Sequence, residues 1–172
     1  MSERVESLAK RFEQANNKLI AAAERYTADG WHATAADDER SVGTVAHHLA
    51  TSYGVQCDLI QGIASGETVP AVTWEMVHQM NAEHAEEHDY PGREETLALL
   101  RENGRAMSGL IRGLGDEQLR RTADLPFLGE QPVTTQQFIE QAVIDHIELH
   151  LNSMEAAAGR EGEAAAATMR AS

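Results

Sequence analysis

The sequence predicts an all-α protein built on four main helices, and three observations predict it. Aromatic residues make up only 5% of the chain, whereas Ala, Leu, Glu and Gln are abundant, and these straight-chain residues and Ala lose little freedom in a helix. Apolar residues recur at helical spacing in several long segments. Pro and Gly fall between those segments, where they end helices.

Two helices are predicted in the first third of the chain. The first runs over about residues 3–26, because its apolar residues recur at steps of three, four and seven. Residues 27–40, with Gly30 and two adjacent Asp, are predicted as a loop. Ser41 is a suitable N-cap for the second helix, which ends near residue 63.

The remaining helices are bounded by caps and breakers. Thr73 can cap a third helix to about residue 88, and the fourth runs from Arg93 to about residue 113. Residues 116–120 predict a helical turn. Residues 122–133 contain Pro126 and Pro132 and predict a structured crossover, before a last helix to about residue 158. We predict one domain over residues 1–158 and a flexible Ala- and Glu-rich tail over residues 159–172.

Charge and cysteine content exclude several classes of function. The formal net charge is −14, which disfavours nucleic acid and a polybasic membrane attachment. The sequence has no long apolar run and a single cysteine, Cys57, which we interpret as a small core residue. A cytoplasmic protein without nucleic-acid or membrane partners is expected.

Of the eight histidines, three are predicted to point into the bundle. At 100° per residue, His146 and His150 lie on the apolar stripe of the last helix, one turn apart. On the second helix His48 shares the apolar face, whereas His47 is predicted to point away from it. Because unpaired buried imidazoles are costly, we predict that these three rings bind one divalent metal ion and leave a coordination position open.

The metal prediction has an alternative, because a bare H-x-x-x-H also arises by chance in His-rich helices. The inward phasing of His48 together with the pair favours the metal. Imidazole suits several first-row metals, and we expect zinc first and nickel second.

Two segments that contain these histidines resemble segments of a known family. The segment SVGTVAHHLA (41–50) resembles the second helix of the DinB/YfiT-like proteins, and IDHIELHL (144–151) resembles their last helix. The resemblance implies a four-helix bundle with long crossover connections and a divalent metal held by three side chains. The family includes mycothiol-dependent maleylpyruvate isomerase and bacillithiol transferases. Two departures are Arg40, where the family often has Trp, and a second His where the isomerase branch has Glu.

Other polar residues fall on inward stripes. Ser52 and Gln56 continue the polar line from His48, and Asn81 lies on the inward stripe of the third helix. They are candidates for a substrate pocket, although a position at the wet mouth of the bundle also explains them. For His78, His84 and His88 we favour such a structural position over a ligand role.

Three functions remain open from the sequence. The first is a metal-dependent enzyme of the thiol-dependent transferase or isomerase type, which would use a low-molecular-weight thiol. The second is a metal-dependent hydrolase, which lacks an obvious inward carboxylate because Glu148 faces outward. The third is a non-catalytic metal-stabilised binding module. The sequence assigns no catalytic residue and no small-molecule substrate, and a homodimer is a further expectation.

Overall fold

The computed structural model describes residues 2–36 and 39–170, with side chains as far as Ala158. This part of the chain is helical apart from two short strands and its loops. In chain order the elements are α1 (Glu3–Arg25), α2 (Ala28–His32), α3 (Val42–Ser65), α4 (Trp74–Glu87), α5 (Arg93–Gly113), α6 (Asp116–Arg120), β1 (Thr122–Ala123), a 3-10 turn (Pro126–Leu128), β2 (Val133–Thr134), α7 (Thr135–Phe138), a π-helical segment (Ile139–Ile144) and α8 (Asp145–Arg170).

The bundle consists of α1, α3, α5 and the continuous helix formed by α7, the π-helical segment and α8. Helix α5 packs against both α1 and α3, and α8 packs against the same two helices. Each contributes an apolar stripe to one core, because residues three and four apart lie on the same side of a helix. The predicted all-α four-helix bundle is therefore confirmed. Fully buried side chains of this core include Phe12, Leu19, Leu49, Tyr53, Ile60, Leu100, Met107, Ile111, Phe138 and Ile139.

Hydroxyl caps begin the helices where the sequence predicts them. The side chain of Ser41 accepts a hydrogen bond from the backbone N–H of Thr44 at the start of α3, and Thr73 does the same for Met76 at the start of α4. These bonds satisfy backbone donors that have no partner inside the helix. At the other end of α3, Gly66 adopts a positive φ of 78°, which glycine allows without strain.

The prediction that residues 27–40 form only a loop is wrong. Thr27 caps the short helix α2 by accepting a hydrogen bond from Gly30 N at 3.1 Å. Helix α2 buries Trp31, whose indole N–H donates to the carbonyl of Pro91 at 2.9 Å. Five residues are too few to show a helical stripe in the sequence, so this helix depends on its tertiary contacts.

The crossover between α6 and α7 is structured, as predicted. Thr122 and Ala123 pair with Thr134 and Val133 in a two-stranded antiparallel ladder. The 3-10 turn between the strands contains Pro126 near its start, a position where proline needs no backbone donor.

The last helix extends further than the sequence predicts. Its backbone remains helical as far as Arg170, so residues 159–170 continue α8. The division into a bundle domain and a flexible tail stays a prediction. In the described part of the chain, none of the helices combines the length and the apolar character that a bilayer crossing requires.

Candidate metal centre

Helix α3 carries two adjacent buried histidines close to its beginning. Every residue from Ser41 to Ala50 is buried, because other helices surround this end of α3. His48 is 7% exposed and His47 is 5% exposed. Burial of His48 agrees with the prediction, whereas the prediction that His47 points away from the core is wrong.

Helix α8 supplies the second pair of rings immediately after the π-helical segment. His146 and His150 are half-buried, and their ring centroids lie 4.7 Å apart. The π-helical segment ends at Ile144, and such wider turns are frequent at functional sites. Gln56 of α3 donates a hydrogen bond to the carbonyl of Ala142 in this segment at 2.8 Å, which ties the segment to α3.

The structure brings together the three histidines that the sequence analysis selected. The ring centroid of His48 lies 5.3 Å from that of His146 and 5.6 Å from that of His150. One nitrogen from each ring lies within 4.8 Å of the other two. We call His48, His146 and His150 the first histidine cluster. An ion with Zn–N bonds of about 2.0–2.1 Å fits among three such nitrogens after small side-chain movements.

Burial keeps the imidazoles of His48 and His146 neutral. The pKa of His48 lies far below its ordinary value, chiefly because the ring is buried. Repulsion by protonated His146, by the charged Arg40 and by protonated His150 lowers it further. Burial lowers the pKa of His146 to about 3, with smaller effects from His150 and Arg40. A neutral imidazole keeps the lone pair that a metal ion needs. His48 and His146 are therefore in the protonation state of metal ligands at neutral pH.

One unsatisfied atom tests whether this donor set suits a metal. The Nε2 atom of His48 is buried without a hydrogen-bond partner, and leaving such an atom unpaired costs about 1–3 kcal/mol. Coordination of a cation would satisfy it. The residues therefore fit a divalent metal of the kind that imidazole binds.

The three pocket candidates differ in their surroundings. The Nε2 atom of Gln56 lies 3.5 Å from His146 Nδ1, so Gln56 contacts a ring of the first cluster. The hydroxyl of Ser52 donates to Leu49 O within its own helix at 3.1 Å. Asn81 is half-buried on α4. A role for any of them in substrate binding stays a prediction.

Comparisons with known proteins identify the family of this chain. The family model described as the DinB superfamily matches residues 11–154. The chain belongs to the DinB superfamily. No curated protein matches the sequence significantly.

Solved structures share the fold of this DinB-superfamily chain at low identity. YfiT from Bacillus subtilis, described as a probable metal-dependent hydrolase with an unusual four-helix bundle topology, is 22% identical, with a TM-score of 0.76 over 94% of this chain and 90% of YfiT. A mycothiol-dependent maleylpyruvate isomerase is 10% identical, with a TM-score of 0.69 over 87% of this chain and 60% of the isomerase. An uncharacterized protein from Clostridium difficile 630 is 16% identical, with a TM-score of 0.67 over 90% of this chain and 95% of that protein.

Sequence reasoning missed a second group of histidines beside the first. His47 meets His84 and His88 of α4, and one ring nitrogen from each lies within 4.8 Å of the other two. We call these residues the second histidine cluster. The signal that could have found it is the spacing of His84 and His88, which is the same H-x-x-x-H pattern as that of His146 and His150.

The remaining histidines of α2 and α4 lie outside both clusters. His78 is exposed and stacks on the ring of Trp74, with centroids 5.6 Å apart. His32 is exposed and lies against Tyr90. For His78, the structural position that we favoured agrees with its exposure.

Cys57 is half-buried, and its sulfur lies 3.8 Å from the sulfur of Met107. Burial, and after it the charge of Asp58, raises the pKa of the Cys57 thiol to about 11. The thiol therefore stays protonated at neutral pH, which agrees with a packing role and disfavours a nucleophilic one.

Proposed function

We propose that this DinB-superfamily protein is a divalent-metal-dependent enzyme that uses His48, His146 and His150 as its metal ligands. One observation supports the proposal above the others: three ring nitrogens converge from α3 and α8, and the buried Nε2 atom of His48 lacks a hydrogen-bond partner. Three protein ligands are typical of catalytic zinc sites, which keep a position open for a small molecule. We propose zinc first and nickel second.

The reaction that we propose is thiol transfer or thiol-assisted isomerisation with a low-molecular-weight thiol. When bound, a divalent cation lowers the pKa of a thiol or a water so that a nucleophile is available near neutral pH. The chain's own contribution is to hold the imidazoles of His48 and His146 neutral and to orient the ring of His146 through Gln56. The positive charge of Arg40 acts on His48 and His146, so it favours a thiolate or an anionic substrate at this place.

A metal-dependent hydrolase is the second candidate, and the similarity to YfiT favours it. Hydrolysis needs a general base within hydrogen-bond reach of the attacking water. The two carboxylates that flank the ligands on α8, Asp145 and Glu148, are both exposed. We therefore place thiol chemistry before hydrolysis.

Metal content tests the proposal directly. Elemental analysis of the purified full chain should find zinc or nickel, and His150→Ala should lose one metal ion per chain. His78→Ala is the matched control, because it removes an exposed imidazole outside both clusters. Equal metal content in His150→Ala and the wild type would refute the ligand assignment.

Cobalt substitution then separates the candidate reactions. A sulfur-to-cobalt charge-transfer band on addition of 2-mercaptoethanol would support thiol chemistry. Release of nitrophenol from activated esters, abolished by His150→Ala, would support hydrolysis instead. If metal removal lowers the melting temperature while neither probe responds, the protein is a metal-stabilised binding module and the enzymatic proposal fails.

A further inference from the structure

The second histidine cluster is as tightly assembled as the first. His47 Nδ1 lies 2.9 Å from His84 Nε2. The ring of His88 lies 4.3 Å from that of His47 and 4.9 Å from that of His84, measured between centroids. Two nitrogens bound to one tetrahedral zinc at about 2.0–2.1 Å are about 3.3 Å apart. The separation of His47 and His84 would therefore need to widen by only a few tenths of an ångström.

Hydrogen bonding between the rings does not account for the whole cluster. A single hydrogen bond joins His47 and His84, and the other nitrogen of His84, Nδ1, is buried without a partner. Such a bond needs a proton on one of the two facing nitrogens, and it leaves the ring of His88 without a part in it. A cation, in contrast, can accept a lone pair from each of several imidazoles at once.

The backbone around the cluster holds it in place without a ligand. The hydroxyl of Thr44 contacts the carbonyl of His88 at 3.0 Å and that of Asp89 at 2.7 Å. Trp31 donates to Pro91 O just beyond. The contacts of Thr44 fasten the end of α4 to the beginning of α3, about one turn before His47, and the bond from Trp31 fastens the following loop to α2. The ligand atoms are therefore preorganised, which reduces the entropy cost of binding.

Helix α4 otherwise has little to hold it. It contains no buried residue, and Trp74, Met76 and Met80 are all exposed hydrophobic residues. Since most helical stability in proteins comes from packing of an apolar face, α4 needs another attachment to stay at its position. It lies directly beside the first cluster, because the ring of His84 is 5.4 Å from that of His48.

We propose that His47, His84 and His88 form a second divalent-metal site, which cross-links α4 to α3 beside the first cluster. Its ligands are three imidazoles, so the cation would be zinc, nickel or copper rather than calcium or magnesium, which prefer oxygen. This site is distinct from the first histidine cluster, because the two clusters share no residue. A cation bound at the second cluster would order α4, the helix that borders the first cluster.

Metal stoichiometry of the full chain tests the second site. After removal of metal with a chelator, titration with Zn²⁺ should load two ions on the wild type and on His78→Ala, the matched control on α4. His88→Ala should load one ion, and so should His150→Ala. No ion on His150→Ala, or two on His88→Ala, would overturn the proposal. Two ions on His150→Ala would instead overturn the ligand assignment of the first cluster.

Hydrogen exchange supplies a readout that does not depend on counting ions. In His150→Ala, which keeps the second cluster, Zn²⁺ should slow amide exchange in α4 at least fivefold, and in His88→Ala it should not. His88→Gln repeats the test with a polar side chain of similar length, and circular dichroism verifies that both variants fold. Metal-independent exchange of α4 in His150→Ala would refute the cross-link.

Discussion

The tight contact between Gly43 and Trp31 gives a sharp prediction about stability. A Cβ atom added at Gly43 would lie 2.5 Å from Nε1 and 2.7 Å from Cε2 of the Trp31 ring. Real Cβ contacts are essentially never under 3.0 Å, so the buried indole must move. Gly43→Ala therefore forces a change in the packing of α2 against α3.

The expected cost follows from three contributions. Overpacking of a buried site costs about 1–3 kcal/mol. Displacement of the ring also weakens the hydrogen bond to Pro91, which contributes about 0.5–1.5 kcal/mol. Alanine stabilises a helix by at most about 1 kcal/mol relative to glycine, which offsets part of this cost. Gly43→Ala should therefore lower the free energy of unfolding by about 0.5–3.5 kcal/mol.

Urea unfolding measures this change, and Gly54→Ala is the matched control. Gly54 lies on the same helix with no heavy atom within 4 Å of an added Cβ, so that variant should gain about 0.5–1 kcal/mol. Fluorescence in a Trp74→Phe background reports on Trp31 alone, because the sequence contains two tryptophans. If Gly43→Ala is as stable as Gly54→Ala, the packing of Trp31 described above is wrong.

Three further predictions concern the histidines, Gln56 and Cys57. In metal-free protein, urea unfolding should show a free energy of unfolding that falls by about 2 kcal/mol per pH unit between pH 6 and 5. Burial lowers the pKa values of His48 and His146, so below about pH 6.5 the unfolded chain binds protons that the folded chain does not bind. A constant stability over that range would contradict this. Gln56→Leu should weaken Zn²⁺ binding by about 10–100-fold in competition titrations, as loss of a group that orients a ligand does, whereas Ser52→Ala should have no effect, and equal affinities would count against Gln56. Cys57 should react with a disulfide reagent at pH 8 at least tenfold more slowly in the folded protein than in denaturant, because its pKa is raised to about 11; equal rates would exclude that shift.

The bundle was predictable because its signals are local. Apolar spacing, hydroxyl caps and breakers all lie within a few residues of the feature they specify. The fourth predicted helix has the bounds of α5, Arg93–Gly113, because Pro91 and Gly92 precede it and Gly113 and Gly115 mark its end. Helix α2 was missed because its stability comes from the distant partner of Trp31, Pro91, which no local pattern encodes.

The first cluster was predicted from the sequence, whereas the second was missed. His48, His146 and His150 lie on stripes that also carry aliphatic residues, so their inward position follows from periodicity. His47 was assigned to the outside on the assumption that α3 has one buried face. The structure buries every residue from Ser41 to Ala50, so the phase of a single stripe could not distinguish the two adjacent histidines.

The π-helical segment has more residues per turn than an α-helix. It therefore rotates the side chains that follow it away from the directions predicted with 100° per residue. Ile144, Ile147 and Leu151 are buried although they lie off the stripe predicted from Ile139. The same shift leaves His146 and His150 only half-buried, at the edge of the core rather than inside it. A position at this edge is where a metal ligand can meet a molecule from solvent.

If both metal proposals hold, the two clusters must affect each other's affinity. Their ligands include the adjacent residues His47 and His48, so two dications would lie close together and repel. The charge of Arg40, which acts on His48 and His84 alike, adds to the unfavourable potential. Zn²⁺ should therefore bind the first cluster more tightly in His88→Ala than in wild type whose second cluster is loaded, by roughly 5–150-fold, the usual range of coupling between sites.

Linkage makes this coupling reciprocal, so His150→Ala must raise the affinity of the second cluster by the same factor. Calorimetric titrations of the two variants and the wild type measure both factors. An anionic thiol at the first cluster would neutralise part of the charge, and 2-mercaptoethanol should therefore reduce the coupling. Independent binding at the two clusters, with or without thiol, would mean that they do not hold dications at the same time.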